Sequence, residues 1–386
     1  MKYLNYSLLL LLLLMHTGCQ QQKKAVHVGE DAEMEDTTLM IRPRYARGFT
    51  VKYLKDGVRL VDVCDPQVGE DERMPIGYSF ALVPRGSDAG VPEGYERVEV
   101  PIRSTITMTS LQLSNFTCLS AHDFIKGITG TKNLYNKDIL QRVREGSIQK
   151  IGMEGDFDPE LILAANPDVI FISPFKRGGY DAIKETGITL IPHLGYKEAT
   201  PLGQAEWIKF VAMFIGREEE ANVLFDGIAQ RYNELRFKVQ GSKFKVLPTV
   251  FSGEMHGGNW YAVGGKNHLA QLFRDAGADY IMHDDNTGGV NMEYEQLYAA
   301  AAHADYWRIL NSYHGDFSYE ALLASEPRNA LFKAYRERHV IYCNMRQTPY
   351  YELAPVEPDV LLSDLVAIFH PELLPDYEPT FYRLLK

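Results

Sequence analysis

The segment 157–174, FDPELILAANPDVIFISP, constrains the fold of this chain most strongly, because a helix start, a helix stop and a buried strand follow one another within it. Asp158 is a residue type that caps helix N-termini, and Pro159 suits the first helical position. Pro167 ends the helix, and the apolar run 169–172 is typical of a strand buried on both faces. A helix that leads directly into such a strand predicts an α/β sheet.

The same alternation of strand and helix patterns continues along the chain. In the second half it is carried by FKVLPTVFSG, NHLAQLFRDAGA, HVIYC and PDVLLSDLVAIF. Between the two halves lies the longest helical pattern, 201–240, which is broken once at Gly216. We therefore predict an α/β fold of two doubly wound α/β lobes, joined by one long rigid helix that leaves a ligand cleft between them.

The region before the first lobe has a different pattern. Apolar residues alternate from Phe49 to Val63 around a Lys55-Asp56-Gly57 turn, which predicts a β-hairpin in an extra N-terminal β-rich segment. The predicted organisation is a signal peptide (1–19), a flexible tether (20–37), a β-rich extension (38–100), an N-terminal α/β lobe (101–200), the connecting helix (201–240) and a C-terminal α/β lobe (241–386).

The N-terminus resembles a bacterial lipoprotein signal peptide. Met1-Lys2 precedes an unbroken leucine run, 8–14, and then Cys19. Cleavage before Cys19 would leave that cysteine to carry lipid, which implies a membrane-anchored lipoprotein on the periplasmic side of the cell envelope. His16 stands where the usual motif prefers Leu, Val or Ile, so ordinary secretion or an uncleaved anchor stays open.

Composition excludes one class of partner. The chain has 51 acidic and 40 basic residues, a formal charge of −11, and no Lys/Arg-rich run with interleaved aromatic residues, so we expect no nucleic-acid partner. Cys64, Cys118 and Cys343 form no CxxC pair and hence no zinc signature. We expect them to be buried thiols, with one long-range disulfide left open.

One acidic residue in each lobe occupies an equivalent place. Glu160 lies in the first turn of the helix that precedes Asp168, and Glu295 lies in an early helical turn that precedes Asp305 and a strand near Tyr306. An acid there can simply complement the helix dipole.

The chain from about residue 101 to the C-terminus resembles the substrate-binding proteins of bacterial ABC importers for iron chelates and cobalamin, which have a rigid helix between their lobes. The resemblance is carried by DPELILAANPDVIF, PLGQAEWIKFVAMFIGREEEANVLFDGI, WYAVGGKNHLAQLFRDAGADYI and FHPELLP. It implies that a glutamate on each lobe docks against arginines of the membrane permease, here Glu160 and Glu295. Glu293 competes with Glu295, because the spacing from Glu295 to Asp305 is two residues longer than that from Glu160 to Asp168. The extension 38–100 lies outside the resemblance.

Ligand contacts in such a fold should come from loops that follow strand ends. The candidates form an aromatic and cationic set: Phe175, Lys176, Arg177, Tyr180, Glu254, His256, Trp260, Tyr261, Arg346, Tyr350 and Tyr351. Rings cover apolar area and arginines grip carboxylates, so the set suits haem, cobalamin or a ferric siderophore. Trp260 and Arg346 are the preferred candidates.

We expect no resident cofactor and no protein metal site, since the metal would arrive inside the chelate. His256 could ligate the metal of the cargo, but the histidines show no HExxH or comparable spacing. The chain also lacks a GxSxG elbow, a P-loop and a GxGxxG helix start, so we expect a binding protein, by default a monomer, rather than an enzyme. A chelatase on the same scaffold and a lipoprotein adaptor remain the alternatives.

Overall fold

The computed structural model describes residues 40–67, 76–153, 156–174 and 180–386, which belong to one compact unit. The predicted signal peptide with Cys19 and the predicted tether lie outside the described residues. So do three of the cleft candidates, Phe175, Lys176 and Arg177.

An N-terminal sheet precedes the lobes, as the sequence predicts. Its five strands, in the order β1-β2-β3-β4-β5, are β1 (Met40–Ile41), β2 (Phe49–Tyr53), β3 (Arg59–Cys64), β4 (Ile76–Pro84) and β5 (Glu96–Val100). Neighbouring strands are antiparallel except β4 and β5, which are parallel. The predicted hairpin joins β2 to β3, and Gly57 supplies the turn with a φ of 82° that favours glycine.

The first lobe contains a parallel sheet in the order β12-β11-β6-β7-β8. Its strands are β6 (Thr105–Thr107), β7 (Ile125–Ile128), β8 (Gln149–Lys150), β11 (Val169–Ile172) and β12 (Thr189–Pro192), with a short antiparallel pair, β9 (Gly152–Met153) and β10 (Asp156–Phe157). Its helices are α1 (Ser110–Thr117), α2 (Lys137–Arg144), α3 (Pro159–Ala165) and α4 (Tyr180–Lys184).

The helix-to-strand prediction for 157–174 is confirmed. The Asp158 carboxylate accepts hydrogen bonds from the backbone N–H groups of Glu160 and Leu161, at 3.0 and 3.1 Å, and so caps α3. Asn166 ends the helix in the left-handed conformation, with a φ of 46°. All four residues of β11 are buried, which explains their uniformly apolar sequence.

The predicted connecting segment, 201–240, has the predicted break at Gly216 and forms two consecutive helices. α5 (Pro201–Ile215) ends at Gly216, which has a φ of 68°, and α6 (Glu218–Gly241) follows. A rod of 24 residues, at about 1.5 Å per residue, spans roughly 36 Å. α6 packs against α5 on one side and against the last long helix of the second lobe, 358–369, on the other. Because α5 also packs against α1 of the first lobe, α5 and α6 together join the lobes.

The second lobe is also built around a mainly parallel sheet, but with a different strand order. Its main sheet has the order β16-β13-β18-β19-β20, parallel except for β20, and a three-stranded antiparallel sheet has the order β14-β15-β17. The strands are β13 (Thr249–Ser252), β14 (Glu254–His256), β15 (Asn259–Val263), β16 (Asp279–Tyr280), β17 (Gly289–Met292), β18 (Tyr306–Asn311), β19 (Val340–Asn344) and β20 (Arg383–Leu384). The helices are α7 (His268–Asp275), α8 (Tyr294–Ala301), α9 (Tyr319–Ser325), α10 (Lys333–Arg336), α11 (Tyr350–Leu353) and α12 (Pro358–Phe369).

The two lobes share one contact at the start of their central strands. Asp168, just before β11, accepts a hydrogen bond from the backbone N–H of Arg103, near the start of β6, at 2.7 Å. Asp305, just before β18, accepts one from the backbone N–H of Thr249, at the start of β13, at 2.8 Å. In each lobe an aspartate thus ties the second central strand to the first, and the predicted fold of two doubly wound lobes is confirmed.

The N-terminal sheet is held to the first lobe by two buried carboxylates. Glu206, on α5, accepts hydrogen bonds from three successive backbone N–H groups, those of residues 44–46, at 3.1, 2.7 and 2.9 Å. Glu198 accepts hydrogen bonds from the N–H groups of Arg47 and Gly48, each at 3.0 Å, and from the indole of Trp207 at 2.9 Å. The loop before β2 is therefore bound through its backbone N–H groups. Its side chains take no part in these hydrogen bonds, so the sequence of the loop does not predict the attachment.

No helix in the described ranges is long and apolar enough to cross a membrane. Cys64, Cys118 and Cys343 form no disulfide with one another; Cys64 and Cys343 are buried and Cys118 is partly buried.

Candidate functional site

The lobes meet at the carboxyl ends of their strands. The loop after β7 reaches across to the second lobe, where the amide of Asn133 donates to the hydroxyl of Ser312 at 3.3 Å. The hydroxyl of Tyr135 donates to the backbone carbonyl of Met345, after β19, at 3.0 Å. Both acceptors follow central strands of the second sheet, so the contact lies where parallel α/β sheets bind ligands.

A buried carboxylate reinforces this contact. Glu352, on α11, accepts hydrogen bonds from the backbone N–H groups of Tyr135 and Asn136, the latter at 2.8 Å. Asn136 is the N-cap of α2, so Glu352 satisfies N–H groups beside the start of a helix in the opposite lobe. Burial raises the pKa of Glu352, and the two N–H donors partly offset that rise.

A cavity of about 80 Å³ lies between α5 and the second lobe. Three helices begin at it, since Pro201, His268 and Pro358 are the first residues of α5, α7 and α12. The remaining lining residues are Gln204, Leu269, Leu272, Tyr350, Tyr351, Ala354, Pro355 and Leu361. The lining is thus mainly apolar, and its polar groups are an imidazole, an amide and two phenols.

A buried arginine lies behind this cavity. Arg308, on β18, is 8% exposed, and its Nε and Nη2 donate to the hydroxyl of Tyr382 at 2.9 and 2.5 Å. That hydroxyl donates in turn to the hydroxyl of Tyr350 at 2.9 Å. A hydrogen-bonded chain therefore runs from a buried guanidinium to a side chain that lines the cavity.

Two of the predicted cleft residues belong to the core instead. Trp260 is fully buried among Phe251, Trp307 and Phe332, and its indole N–H donates to the carbonyl of Ser252 at 3.0 Å. The prediction that Trp260 lines the cleft is wrong, because β15 turns this ring toward Phe251 and Trp307 of the main sheet.

Tyr180 is the second correction. It is 8% exposed, packs against Phe157 with ring centroids 5.8 Å apart, and its hydroxyl donates to the carbonyl of Ser173 at 3.1 Å. The helix α4 begins at this residue, so its ring is directed into the lobe rather than toward a ligand.

The other predicted residues in the described ranges lie at or near the surface. Tyr261 and His256 are exposed on the β14–β15 hairpin, and Glu254 accepts a hydrogen bond from Asn311 at 3.1 Å. Arg346 is exposed, and its Nε donates to the carbonyl of Ser312, the residue that contacts Asn133 of the first lobe. Of the candidates, Arg346 therefore lies beside the contact between the lobes.

Tyr350 and Tyr351 line the cavity described above. Tyr351 is 47% exposed, whereas Tyr350 is partly buried against Tyr382.

Sequence reasoning missed four residues of this region: Asn133, Tyr135, His268 and Glu352. Their partners lie in other elements, and no local pattern marks them. It also missed Arg308, although the sequence marks this position with a single charged residue between the apolar Trp307 and Ile309 of the strand YWRILN.

The two candidate docking glutamates hold the same helical position. Glu160 is the second residue of α3 and Glu295 the second residue of α8, and both are exposed. Glu293 is the N-cap residue of α8, which corresponds to Asp158 rather than to Glu160. Glu295 forms an ion pair of 2.8 Å with Arg328, whose Nε and Nη2 are bound by Glu326, each at 2.9 Å.

Within the described ranges, no group of three or more His, Cys, Asp and Glu side chains could hold a metal ion.

Residues 109–346, more than half of the chain, match the family model described as "Periplasmic binding protein". An uncharacterized lipoprotein of Methanocaldococcus jannaschii is 26% identical over 366 residues, which covers 88% of this chain and 84% of the relative. A second uncharacterized lipoprotein of that organism is 25% identical over 313 residues, which covers 77% of each chain.

Solved structures of binding proteins share the fold. A periplasmic heme binding protein from Pseudomonas aeruginosa matches with a TM-score of 0.57 at 18% identity, covering 74% of this chain and 98% of its own. The TroA-like periplasmic binding protein FepB from Veillonella parvula matches with a TM-score of 0.56 at 18% identity, covering 75% and 96%.

The periplasmic vitamin B12 binding protein BtuF of Vibrio cholerae matches with a TM-score of 0.52 at 14% identity, covering 72% of this chain and 99% of its own. At these identities the structural matches establish the fold alone. The match to the family model shows that the chain belongs to the periplasmic binding protein family.

Proposed function

We propose that the chain is a lipid-anchored, extracytoplasmic binding protein that captures a metal chelate, namely an iron siderophore, haem or cobalamin, between its lobes and delivers it to an ABC-type permease. The observation that carries this proposal is the meeting of two α/β lobes at their strand ends, joined by α5 and α6. A cleft between two lobes of this kind is where small ligands bind.

The ligand class is supported by the chemistry around the cleft and by the names of similar proteins. Arg346, Tyr351 and Tyr261 are exposed, so they can offer a cation and two phenol rings to a guest. Among the solved structures of the same fold are one titled a heme binding protein and one titled a vitamin B12 binding protein. Large ligands of that kind present apolar rings and charged arms together, which such a surface complements.

Docking to a permease is supported by the matched positions of Glu160 and Glu295. Each is exposed at the second position of a helix that leads into a central strand of its lobe. We favour Glu295 over Glu293 because only Glu295 has the helical position of Glu160. The ion pair of Glu295 with Arg328 is exposed, and exposed pairs contribute little, so a permease arginine could replace it.

Lipid anchoring through Cys19 is supported by the signal-peptide pattern and by the lipoprotein names of two relatives. Mass spectrometry of the protein from its membrane fraction would test it, with Cys19→Ala as the control. Lipid on the N-terminal cysteine is expected, and recovery of the unmodified protein from the soluble fraction would contradict it.

Equilibrium binding by calorimetry tests the proposed function. The chain from Thr38 onward, the start of the compact unit, would be titrated with haem, cobalamin and a panel of ferric siderophores, with bare metal ions as controls. Calorimetry is preferable to tryptophan fluorescence, since Trp207, Trp260 and Trp307 are all fully buried. Saturable binding of one chelate at micromolar or tighter affinity is expected, and no binding across the panel would reject the proposal.

A further inference from the structure

The positive charge of Arg308 is buried without a counter-ion. Its guanidinium is held by the hydroxyl of Tyr382 and lies 5.2 Å from the centre of that ring. No described carboxylate forms an ion pair with it, and the nearby Glu254 is hydrogen-bonded to Asn311 instead. Burying a charge without a partner of opposite sign is costly, so a ligand that supplied a negative charge would be favoured here.

The hydrogen-bond chain from Arg308 leaves one donor directed to the cavity. The hydroxyl of Tyr382 accepts from the guanidinium and gives its own proton to the hydroxyl of Tyr350. The proton of Tyr350 then finds no acceptor in the part of the chain that the structure describes. Because Tyr350 lines the cavity, an occupant with an acceptor oxygen would satisfy it.

His268 presents a second unsatisfied group in the same cavity. Neither ring nitrogen has a hydrogen-bond partner among the described residues, and Nδ1 is buried. Burial lowers the pKa of His268 to about 4, so the ring is neutral at pH 7 and carries one N–H donor. The starts of α5, α7 and α12 add partial positive charge, and none of the cavity-lining residues is acidic.

We infer that this cavity binds a carboxylate group of the transported chelate, with Tyr350 and His268 as donors and Arg308 as the buried counter-charge. The inference rests on the proposed function and names the class of cargo within it: chelates that carry a free carboxylate. About 80 Å³ is the room of two or three water molecules, which fits one carboxylate and its adjoining carbon against the leucines of the wall. The body of the chelate would remain outside, beyond the exposed edge of Tyr351.

A matched pair of ligands tests this inference. The chain from Thr38 onward would be titrated with haem and with haem dimethyl ester, and with ferric complexes of a carboxylate siderophore and of an uncharged trihydroxamate. We expect the free acids to bind at least tenfold more tightly than the ester and the hydroxamate, because hydrogen bonds to a charged group are worth roughly 10- to 100-fold in affinity.

Two outcomes would overturn it in distinguishable ways. If ester and acid bind equally, or if only cobalamin or a hydroxamate binds, the proposed function stands and the carboxylate site is rejected. If no chelate binds at all, the proposed function fails and the inference fails with it.

Single substitutions test whether the preference for the free acid arises at Tyr350 and His268. Tyr350→Phe keeps the ring and removes the donor, so it should weaken binding of the acid by about 10- to 100-fold and leave the ester unchanged. His268→Gln tests the second donor in the same way. Tyr335→Phe is the control, because it also removes a hydroxyl that is hydrogen-bonded within the second lobe, to the carbonyl of Tyr319 at 3.1 Å, but away from the cavity. Equal losses for acid and ester in Tyr350→Phe would show a packing defect and overturn the assignment.

Discussion

Glu198 shows how one buried side chain can organise a region far away in sequence. Its carboxylate binds backbone N–H groups of Arg47 and Gly48, and the close approach leaves no room for a larger residue at 48, where an added Cβ would lie 2.6 Å from the ring of Trp207. Burial raises the pKa of Glu198 to about 7, although its three donors oppose that rise. The attachment of the N-terminal sheet is therefore sensitive to pH.

The direction of that sensitivity follows from proton linkage. Glu198 has a higher pKa in the folded chain than the ordinary value of 4.5, so the folded state binds the extra proton between these values. The free energy of unfolding should thus fall as the pH rises from about 5 to about 7, by roughly 2 kcal/mol from this group.

Urea unfolding at several pH values, compared between the wild type and Glu198→Gln, measures this contribution as a difference in slope. Glu219→Gln, at an exposed position in the first turn of α6, is the control and should keep the wild-type slope. Parallel slopes for the wild type and Glu198→Gln would refute the assignment.

The burial of Trp260 predicts that this single side chain contributes strongly to stability. Because its ring is fully buried, Trp260→Ala should lower the free energy of unfolding by about 3–5 kcal/mol. Tyr261→Ala, at the exposed neighbouring position, should cost far less. Urea denaturation of both variants checks this, and a stable Trp260→Ala protein that loses only ligand affinity would restore the original cleft assignment.

At the scale of the element, the break between α5 and α6 depends on Gly216. Its φ of 68° suits glycine, and an added Cβ would lie 3.2 Å from the ring of Pro101, at the start of the first lobe. The break therefore separates α5, which packs against helices of both lobes, from α6, which packs against α5 and α12. The left-handed conformation of Gly216 and its contact with Pro101 also make the junction sensitive to substitution.

Gly216→Ala should lower the free energy of unfolding by about 1–2 kcal/mol, since a left-handed conformation is unfavourable for alanine. Gly241→Ala is the matched control, because this residue ends α6 with no heavy atom within 4 Å of an added Cβ and should be neutral or slightly stabilising. Thermal or urea unfolding compares the two variants. A neutral Gly216→Ala would mean that the junction adapts to a side chain without strain.

At the scale of the whole described unit, the arrangement of the lobes limits how far they can move. α6 packs against α5 and against α7 and α12 of the second lobe, α5 packs against α1 of the first, and Glu352 and Tyr135 join the lobes at the strand ends. We expect ligand binding to produce only a small closure. Small-angle scattering should therefore give the same radius of gyration, within error, with and without a saturating chelate, and a marked decrease would contradict the rigid connection.

The proposed docking also belongs to this scale, because it needs both lobes at once. Glu160→Ala combined with Glu295→Ala should leave chelate affinity unchanged and abolish uptake of the labelled chelate by cells in which this chain is the sole binding protein for it. Glu219→Ala combined with Glu220→Ala, on exposed positions of α6, is the charge-matched control and should preserve uptake. Lost affinity with normal uptake would reject the docking assignment.

Local patterns in the sequence were sufficient to predict the alternation of helices and strands. Asp158 and Pro159 indicate a helix start, and the buried run 169–172 indicates a central strand. Both predictions depend on interactions between near neighbours along the chain, and both are confirmed. The equivalent place of Glu160 and Glu295 could be read in the same way, since it is a position within a helix. The membership of the chain in its family follows from the order of such segments.

Only the tertiary structure decided which side chains face the cleft. An alternating strand presents two faces, and the sequence of β15 does not say that Trp260 faces the core while Tyr261 faces solvent. Arg308 meets Tyr382 across 74 residues, and Glu206 reaches the loop before β2 across about 160. Such pairs cannot be predicted from local sequence patterns, because the partner of a buried charge is determined by packing between distant elements and not by neighbours along the chain.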